Sequence, residues 1–416
     1  MNDMFQTYPP EQFLKDLYDT ALAAADPYEA VMRYLPTPVM GKTLVVGAGK
    51  ASARMAQAVE EGWGGEIEGL VVVPYGHKLE TKWIEVVEAA HPIPDEAGVD
   101  AANRIYEMAE SLSEFDQLIV LLSGGGSSLL SRPMDGLRLS EKQIITGGLL
   151  QSGARISEIN TVRKHLSSIK GGKLAQAAWP AKVITLIVSD VPGDDPSMIA
   201  SGPTLPNDSS PKDALKILEK YGIPLPPGIA QRLEAQEDVG QDFIPGEVDI
   251  IVSAADAFEA AARLAHAEGI DVQYLGDDVE GEARSIALAH ANLAMSVPKW
   301  ERPKLILSGG EATVSVKGNG LGGRNQEYAL ALAIGLNGAS GVYALAADTD
   351  GIDGLTPVAG AFIHPDIMKQ AQDKNIDARA MMHNNDSFSF FKDLGGHITT
   401  GPTSTNVNDF RAILVI

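Results

Sequence analysis

The stretch TLVVGAGKAS at residues 43–52 decides how the rest of the chain is interpreted. A short apolar run leads directly into a glycine-rich turn, and residues suited to a helix follow. Apolar runs that end in such turns are typical of buried strands in a parallel sheet. Glycine lets the backbone approach an anion closely. The stretch therefore predicts a strand–turn–helix unit, with Gly47, Gly49 and Lys50 in a turn that binds an anionic ligand.

The same pattern recurs in LIVLLSGGGSSLL (118–130), LIVSDVPGDDPS (186–197), LILSGGEATV (305–314) and YALAADTDGIDG (343–354). Ligands of open α/β sheets bind outside the carboxyl ends of the strands, where these turns fall. Backbone N–H nests, lysine and aspartates together indicate a site for phosphates and a divalent metal. We therefore expect ligand contacts from the turn residues, which are Ser123, Gly124, Gly125, Gly126, Ser127, Ser128, Asp190, Asp194 and Glu311.

Length and composition limit the class of protein. A chain of 416 residues is too long for one ordinary core, so two domains are expected. The formal net charge of -22 repels nucleic acid and anionic membranes, and we expect neither as a partner. The chain has no cysteine, which excludes disulfides and thiolate sites. No signal peptide or membrane-spanning apolar stretch is evident, so a cytoplasmic location is expected.

The order of the elements predicts an α/β protein with two domains, residues 1–235 and 245–416, and a cleft between them. The proline-rich stretch 222–247 is the linker candidate, and the helical segment 1–35 is a candidate to pack on the second domain. Strands are expected at 43–49, 69–73, 84–88, 118–122 and 183–188, with one helix over 158–178. A second series would open with DIIVSAAD (249–256), and the alternation of TVSVKG (313–318) predicts a mixed second sheet.

Two nucleotide-binding motifs fit the sequence poorly. GKT at 41–43 precedes its strand, which a P-loop does not allow. GAGKAS at 47–52 resembles a dinucleotide fingerprint, but the next strand ends in Pro74 and Tyr75, with no clear acidic residue for a ribose. Lys50 and Arg324 each stand at the start of a predicted helix, where the macrodipole disfavours a cation. A phosphate or carboxylate partner would explain both cations; a solvated surface lysine is the alternative for Lys50.

Two polar segments have both functional and ordinary interpretations. In NTVRKHLSSIKGGKLA (160–175), helical spacing places Asn160, Lys164 and Ser167 on one face, either as an anion-binding strip or as solvated charges. Asp190 and Asp194 are candidates for a Mg²⁺ site, although aspartate also favours turns. AADTDGIDG (346–354) lacks the last glutamate of a calcium loop, so a catalytic or metal-positioning loop is favoured.

Together these segments, with AHPIPDEAG (90–98) and LSGGEATVSVKGNGLGGRNQE (307–327), resemble the class II glycerate kinases over nearly the whole chain. The resemblance implies a Rossmann-like first domain with a mainly parallel sheet, and an active site in the interdomain cleft. It implies ATP- and Mg²⁺-dependent phosphorylation of D-glycerate to 2-phosphoglycerate. Lys50 and Arg324 match the family's active-site lysine and arginine positions. Similar proteins also carry the label hydroxypyruvate reductase, which supplies the alternative activity.

The sequence therefore predicts a glycerate 2-kinase, with an NAD(P)H-dependent hydroxypyruvate reductase and a non-catalytic nucleotide sensor as alternatives. Lys50, Arg324 and Asp190 are the predicted catalytic residues, and Asp190 and Asp194 the predicted metal ligands. The predicted substrate and nucleotide contacts are Gly47, Gly49, Ser123, Gly124, Gly125, Gly126, Ser127, Ser128, Asn160, Lys164, Glu311 and Asn325. The oligomeric state is open, with a homodimer as one arrangement.

Overall fold

A computed structural model describes residues 4–236 and 246–416 of the chain. Its strands are β1 (Thr43–Ala48), β2 (Ile67–Pro74), β3 (Ile84–Ala89), β4 (Gln117–Leu122), β5 (Lys182–Val188), β6 (Glu247–Val252), β7 (Asp271–Tyr274), β8 (Gly281–Glu282), β9 (Lys304–Ser308), β10 (Ala312–Thr313), β11 (Val342–Asp348), β12 (Gly360–Ile363), β13 (His397–Ile398) and β14 (Asp409–Val415).

Helices fill most of the segments between the strands. They are α1 (Met4–Thr7), α2 (Pro10–Ala25), α3 (Pro27–Tyr34), α4 (Ser52–Gly62), α5 (Glu96–Glu110), α6 (Gly126–Leu129), α7 (Leu139–Gln151), α8 (Ile156–His165), α9 (Lys173–Ala178), α10 (Pro211–Lys220), α11 (Ile229–Glu234), α12 (Ala254–Ala267), α13 (Ala283–Ser296), α14 (Arg324–Leu336), α15 (Ile367–Asp373), α16 (Ala378–His383) and α17 (Ser387–Leu394). No helix in the described part of the chain is long and apolar enough to cross a membrane.

The first compact unit, which we call the parallel-sheet unit, comprises Pro27–Val252. Its six strands run parallel in the order β3-β2-β1-β4-β5-β6. Every residue of β1 and β4 is buried, as expected for strands covered by helices on both faces. The strand order reverses between the neighbours β1 and β4, which is where ligands of such sheets bind. The predicted Rossmann-like parallel sheet is confirmed.

Strand β6 lies in a different sheet from the one predicted. We expected DIIVSAAD to open the second series, but β6 pairs in parallel with β5 at the edge of the first sheet. This pairing joins segments that are distant in the sequence, and the local pattern of apolar residues carries no information about it. Part of the predicted linker 222–247 lies outside the described residues. Its described portion contains α11, which buries Ile229 and Leu233.

The second compact unit, the mixed-sheet unit, comprises Ser253–Ile416 together with the N-terminal residues up to Asp26. Its main sheet has the order β13-β12-β11-β14-β9-β7, in which β7 and β9 are parallel and the other pairs antiparallel. The predicted mixed sheet is confirmed. Helix α2 packs on α12 in this unit, and the Tyr18 hydroxyl donates a 2.6 Å hydrogen bond to the carbonyl of Asp348.

The predicted strand TVSVKG is wrong. Only Ala312–Thr313 forms a strand, β10, which pairs with β8 in a separate two-stranded sheet. Val316 is 74% exposed, and the backbone N–H groups of Lys317 and Gly318 donate to the side-chain oxygen of Asn385. Side-chain capping of this segment therefore takes the place of a sheet partner.

The predicted helix over 158–178 is also wrong, because it is two helices, α8 and α9. Gly171 and Gly172 separate them with φ of 60° and 83°, a left-handed conformation that breaks a helix and that glycine adopts without strain. The chain between the helices bends back, so that Ser168 donates its backbone N–H to the carbonyl of Arg132.

Candidate functional site

The turn after β1 in the parallel-sheet unit is hydrogen-bonded to the turn after β4. The backbone N–H of Lys50 donates to the carbonyl of Gly124 at 2.9 Å, and that of Ala51 donates to the Ser123 hydroxyl at 2.9 Å. Gly49 has φ of 146°, and a Cβ atom there would lie 2.1 Å from the Ser123 hydroxyl. Only glycine fits this close approach. The structure thus brings Gly49, Lys50, Ser123 and Gly124 together at the carboxyl ends of two adjacent strands.

The SGGGSS segment follows β4 and forms a tight turn and the start of the short helix α6. Gly125 has φ of 82°, and a Cβ atom on Gly126 would lie 2.6 Å from the carbonyl oxygen of Ala48. The Ser127 hydroxyl lies 2.8 Å from that of Ser201, and the Ser128 hydroxyl donates to the Gly125 carbonyl at 3.0 Å. Both serines are partly exposed, whereas Ser123 is fully buried and supports the turn. Their contact with a ligand stays a prediction.

The predicted strip of Asn160, Lys164 and Ser167 is only partly correct. Asn160 and Lys164 lie on α8, but Ser167 follows the helix, and its hydroxyl donates to the Arg132 carbonyl at 2.9 Å. The Asn160 side-chain oxygen accepts a 3.3 Å hydrogen bond from Ser201, which in turn contacts Ser127. Asn160 is therefore connected to the SGGGSS segment through Ser201. Ser167 does not share a helix face with Asn160, because α8 ends at His165.

A cavity of about 470 Å³ lies beside the SGGGSS segment, within the parallel-sheet unit. Three cationic side chains line it, those of Lys142, Arg163 and Lys170. The Lys170 ammonium donates to the carbonyls of Ser127 at 2.8 Å and Ala200 at 3.3 Å. Burial, followed by the positive charges of Arg163 and Lys173, lowers the pKa of Lys142 to about 7. Burial likewise lowers the pKa of Lys170 well below its ordinary value.

The sequence interpretation overlooked Lys142, although its spacing carries a signal. The buried residues of α7 are Leu139, Lys142, Ile145 and Leu149, which recur at intervals of three and four. A lysine among the buried positions of a helix either packs its aliphatic stem in the core while its ammonium reaches water, or it has a functional role. Here the ammonium itself is buried, and its one hydrogen bond in the described residues goes to the Ser131 hydroxyl at 3.3 Å.

The predicted metal ligands lie in the loop after β5. Asp190 lies two residues after the end of the strand at Val188, and Asp194 has φ of 54°. Neighbouring Asp195 has a turn-forming role, since its carboxylate accepts the backbone N–H of Ser197 at 2.9 Å. In residues 4–236 and 246–416, no group of three acidic or histidine side chains could hold a metal ion. Mg²⁺ needs only one or two carboxylates when substrate phosphates and water complete its shell, and the assignment of Asp190 and Asp194 as its ligands stays a prediction.

Arg324 begins α14 in the mixed-sheet unit and is held by three carboxylates. Its Nε donates to Asp409 at 2.7 Å, its Nη1 to Glu311 at 2.7 Å and its Nη2 to Asp348 at 2.9 Å. Arg324 therefore has a structural role within this unit. The three carboxylates compensate for the unfavourable macrodipole and fix the plane of the guanidinium.

Asp409 is the centre of this network and is fully buried. It also accepts the Asn325 side-chain N–H at 2.7 Å and the Ala312 backbone N–H at 3.0 Å, and it pairs with Arg411. Burial alone would raise the pKa of Asp409, but the guanidinium groups of Arg324 and Arg411 hold it below its ordinary value. The sequence interpretation overlooked Asp409 and Arg411, although two charged residues in the otherwise apolar strand DFRAILV were a visible signal.

Asp353, in the loop after β11, caps the N-terminus of α14. Its carboxylate accepts the backbone N–H of Asn325 at 2.9 Å and that of Gln326 at 2.8 Å. Burial raises its pKa to about 6. Among the aspartates of AADTDGIDG, Asp353 therefore orders the helix and Asp348 binds Arg324. Asn325 is buried by the same arrangement, and its predicted ligand contact stays a prediction.

A second cavity, of about 380 Å³, lies beside Arg324 within the mixed-sheet unit. Its wall is mainly apolar and glycine-rich, and the polar groups at its edge include Arg324, Glu327 and Asn385. Glu327 is buried and accepts a 2.6 Å hydrogen bond from the Arg284 Nε atom. This cavity contrasts with the cationic one in the parallel-sheet unit.

Comparison with known proteins places this architecture in a family. Residues 13–234 match the domain of unknown function DUF4147, and residues 304–409 match the MOFRL family. A protein of Agrobacterium vitis with the provisional name hydroxypyruvate reductase is 47% identical, over 97% of this chain and 94% of its own. The D-glycerate 2-kinase of Thermotoga maritima is 39% identical, over 98% of this chain and 100% of its own.

The fold agrees with a solved structure from the same organism. The crystal structure of glycerate kinase from Thermotoga maritima superposes with a TM-score of 0.88 at 39% identity, over 98% of this chain and 100% of the other. Sequence and fold therefore agree over the full length of both proteins. The chain belongs to the DUF4147 and MOFRL family that includes the glycerate kinases.

Proposed function

We propose that this protein is a glycerate 2-kinase, which transfers the γ-phosphoryl group of ATP to the 2-hydroxyl of D-glycerate. The observation that carries the proposal is the similarity to the D-glycerate 2-kinase of Thermotoga maritima over 98% of the chain. The geometry supports it, because a lysine-bearing turn, the SGGGSS segment and a cationic cavity occur at the carboxyl edge of one parallel sheet. Phosphoryl transfer depends mainly on positioning and charge neutralisation, which such groups supply.

Lys50 and Arg324 have different proposed roles. Lys50 neutralises charge on the transferring phosphoryl group, and the N–H groups of the adjoining turns orient phosphate oxygens. Arg324 binds a phosphate or carboxylate oxygen through Nη1, displacing Glu311. Glu311 is the displaceable partner because its side chain is 56% exposed, whereas those of Asp348 and Asp409 are buried. The two buried carboxylates keep the guanidinium oriented during this exchange.

Asp190 and Asp194 would hold Mg²⁺ with the phosphates of the nucleotide. The bound ion would neutralise charge on those phosphates. Asp190 would also orient the attacking 2-hydroxyl. A cytoplasmic location and a homodimer remain predictions of the same proposal.

The alternative activity is the NADH- or NADPH-dependent reduction of hydroxypyruvate, which the provisional name of the Agrobacterium vitis relative favours. The end of β2 weakens this alternative. Dinucleotide sites of this fold place an acidic residue there for the ribose. In this chain β2 ends at Pro74 and is followed by Tyr75 and Gly76.

A coupled assay with glycerate, ATP and Mg²⁺ tests the proposal. We expect ADP to form only when glycerate is present, and phosphorus NMR to identify 2-phosphoglycerate. Consumption of NADH or NADPH with hydroxypyruvate, without ADP formation, would overturn the kinase assignment. ATP binding without turnover on any hydroxy acid would instead support a nucleotide sensor. A 3-phosphoglycerate product would contradict the position of transfer and leave the reaction class intact.

A further inference from the structure

We propose that the cationic cavity of the parallel-sheet unit binds a phosphate oxyanion through Arg163, Lys142 and Lys170. The proposal rests on the proposed function only for the identity of the phosphorylated ligand. The binding site itself is argued from the cavity, from its three cations and from the partners that these cations have.

Arg163 is the first reason for the proposal. Its side chain lines the cavity and is half-buried, and burial lowers its pKa. Within the described ranges, its guanidinium takes part in no hydrogen bond and no ion pair. A guanidinium carries five N–H donors, and those of the half-buried Arg163 are left to water or to a ligand in the cavity. A bound oxyanion would supply acceptors in the bidentate geometry that a guanidinium prefers.

The charge balance around the cavity is the second reason. Neither Lys142 nor Lys170 has a carboxylate partner in the part of the chain that the structure describes, although the whole chain carries a net charge of -22. Their hydrogen bonds go to the neutral oxygens of Ser131, Ser127 and Ala200. Two buried lysines and the half-buried Arg163 thus line one cavity without a counter-charge from the described residues, and an anionic occupant would supply that charge and favour the protonated lysines.

The charge of the occupant follows from the number of cations. D-Glycerate carries a single negative charge, which one guanidinium would neutralise. The phosphate chain of a nucleotide and a phosphorylated hydroxy acid each carry several, and so match three cations better. A volume of about 470 Å³ is of the size that small-molecule sites have. We therefore infer a phosphate group as the occupant, from the nucleotide or from the phosphorylated product.

Binding should be coupled to proton uptake by Lys142. The charged or titratable groups around its ammonium are Arg163, Lys170 and Lys173, with His91 on the cavity wall. A bound phosphate favours the charged ammonium and so raises the pKa of Lys142 from about 7. At pH 8 the complex should thus take up a proton as it forms, and affinity should fall as the pH rises above 7.

Isothermal titration of the full-length protein tests the proposal, with pyrophosphate, ADP, 2-phosphoglycerate and glycerate as separate probes. Arg163→Gln should weaken pyrophosphate binding about tenfold to a hundredfold, as for the loss of a charge-assisted contact. Arg155→Gln is the matched control, because Arg155 is exposed at the start of the same helix, outside the cavity. It should leave the affinity within about twofold. Lys142→Met should reduce proton uptake, measured as heat in two buffers of different ionisation enthalpy, and leave the part that Lys170 contributes.

The probes distinguish the two sources of phosphate. Weaker binding of ADP alone in Arg163→Gln would support the nucleotide, and weaker binding of 2-phosphoglycerate alone would support the product. Unchanged binding of all phosphorylated probes in both Arg163→Gln and Lys142→Met, with normal thermal unfolding, would overturn the proposal. Kinase activity in variants with unchanged binding would contradict the cavity and leave the proposed function standing. Pyrophosphate binding that depends on Arg163, without glycerate phosphorylation, would support the phosphate site in the cavity and contradict the proposed function.

Discussion

At the scale of single residues, Arg324 combines a structural and a proposed catalytic role. Arg324→Ala leaves the buried carboxylates of Asp348 and Asp409 with one cation fewer, so we expect the free energy of unfolding to fall by about 3–5 kcal/mol. Turnover should fall by on the order of 10² or more. Arg324→Lys should also have low turnover, because the three carboxylates each contact a different nitrogen of the guanidinium and a single ammonium cannot replace all three contacts. Steady-state kinetics and denaturant unfolding measure both effects. A variant with normal kinetics would remove Arg324 from the mechanism.

Lys50 should behave differently. Its backbone N–H, which alanine retains, makes the contact that fastens the turn to Gly124. Lys50→Ala should therefore stay folded at the assay temperature while its turnover falls by on the order of 10² or more. The same assay and a thermal scan check this expectation. Unfolding of the variant at the assay temperature would show that the side chain is needed for the fold, contrary to the prediction.

Lys142 should make stability depend on pH. Below pH 7 its ammonium is charged in both states, and burying that charge costs free energy. Because its folded pKa is lowered to about 7, the unfolded chain binds the extra proton between pH 7 and about 10.5, so the free energy of unfolding rises with pH there. Lys142→Met should reduce this rise, to which Lys170 and Lys173 also contribute, and be more stable than the wild type at pH 7. Denaturant unfolding of the wild type and of Lys142→Met over the same pH range measures this difference. Identical slopes of the free energy of unfolding against pH would contradict the role of the buried ammonium.

At the scale of secondary structure, one carboxylate determines where α14 begins. Asp353→Ala would leave the buried N–H groups of Asn325 and Gln326 without their acceptor. The loss of a cap and the buried donors together should cost on the order of 2–4 kcal/mol. Asp353→Asn, which keeps one oxygen, should cost less. Chemical unfolding followed by circular dichroism measures both, and equal stability of the two variants would contradict the capping role.

The elements that the sequence predicted well are those with local signals. The strands at 43–49, 69–73, 84–88, 118–122 and 183–188 agree with β1 to β5 within two residues at each end, because apolar runs and glycine turns mark them directly. The failures are non-local. Whether β6 pairs with β5, and whether TVSVKG finds a sheet partner, depends on contacts with distant segments.

At the scale of the whole molecule, the sequence could predict which parts of the candidate site lie close together when their polar residues are in turns that follow strands. The turns after β1 and β4 meet because parallel strands present their carboxyl ends at one edge. Lys142 and Asp409 escaped notice, since they lie inside a helix and a strand whose patterns indicate a core. Their polar partners come from other elements, so the three-dimensional arrangement was needed to recognise them.

Each unit has its own hydrophobic core and its own cavity, so a ligand that binds one cavity should protect that unit locally. Pyrophosphate at about 100 times its dissociation constant should add about 2.7 kcal/mol to the stability of the form that binds it. Hydrogen exchange with mass spectrometry should show slower exchange in residues 123–131 and 160–173, which surround Lys142, Arg163 and Lys170. The Arg324 region, whose network is already paired, should change little. Protection that appeared there instead would place the phosphate site in the mixed-sheet unit, and protection of residues 123–131 and 160–173 that survived Arg163→Gln unchanged would contradict the role of Arg163.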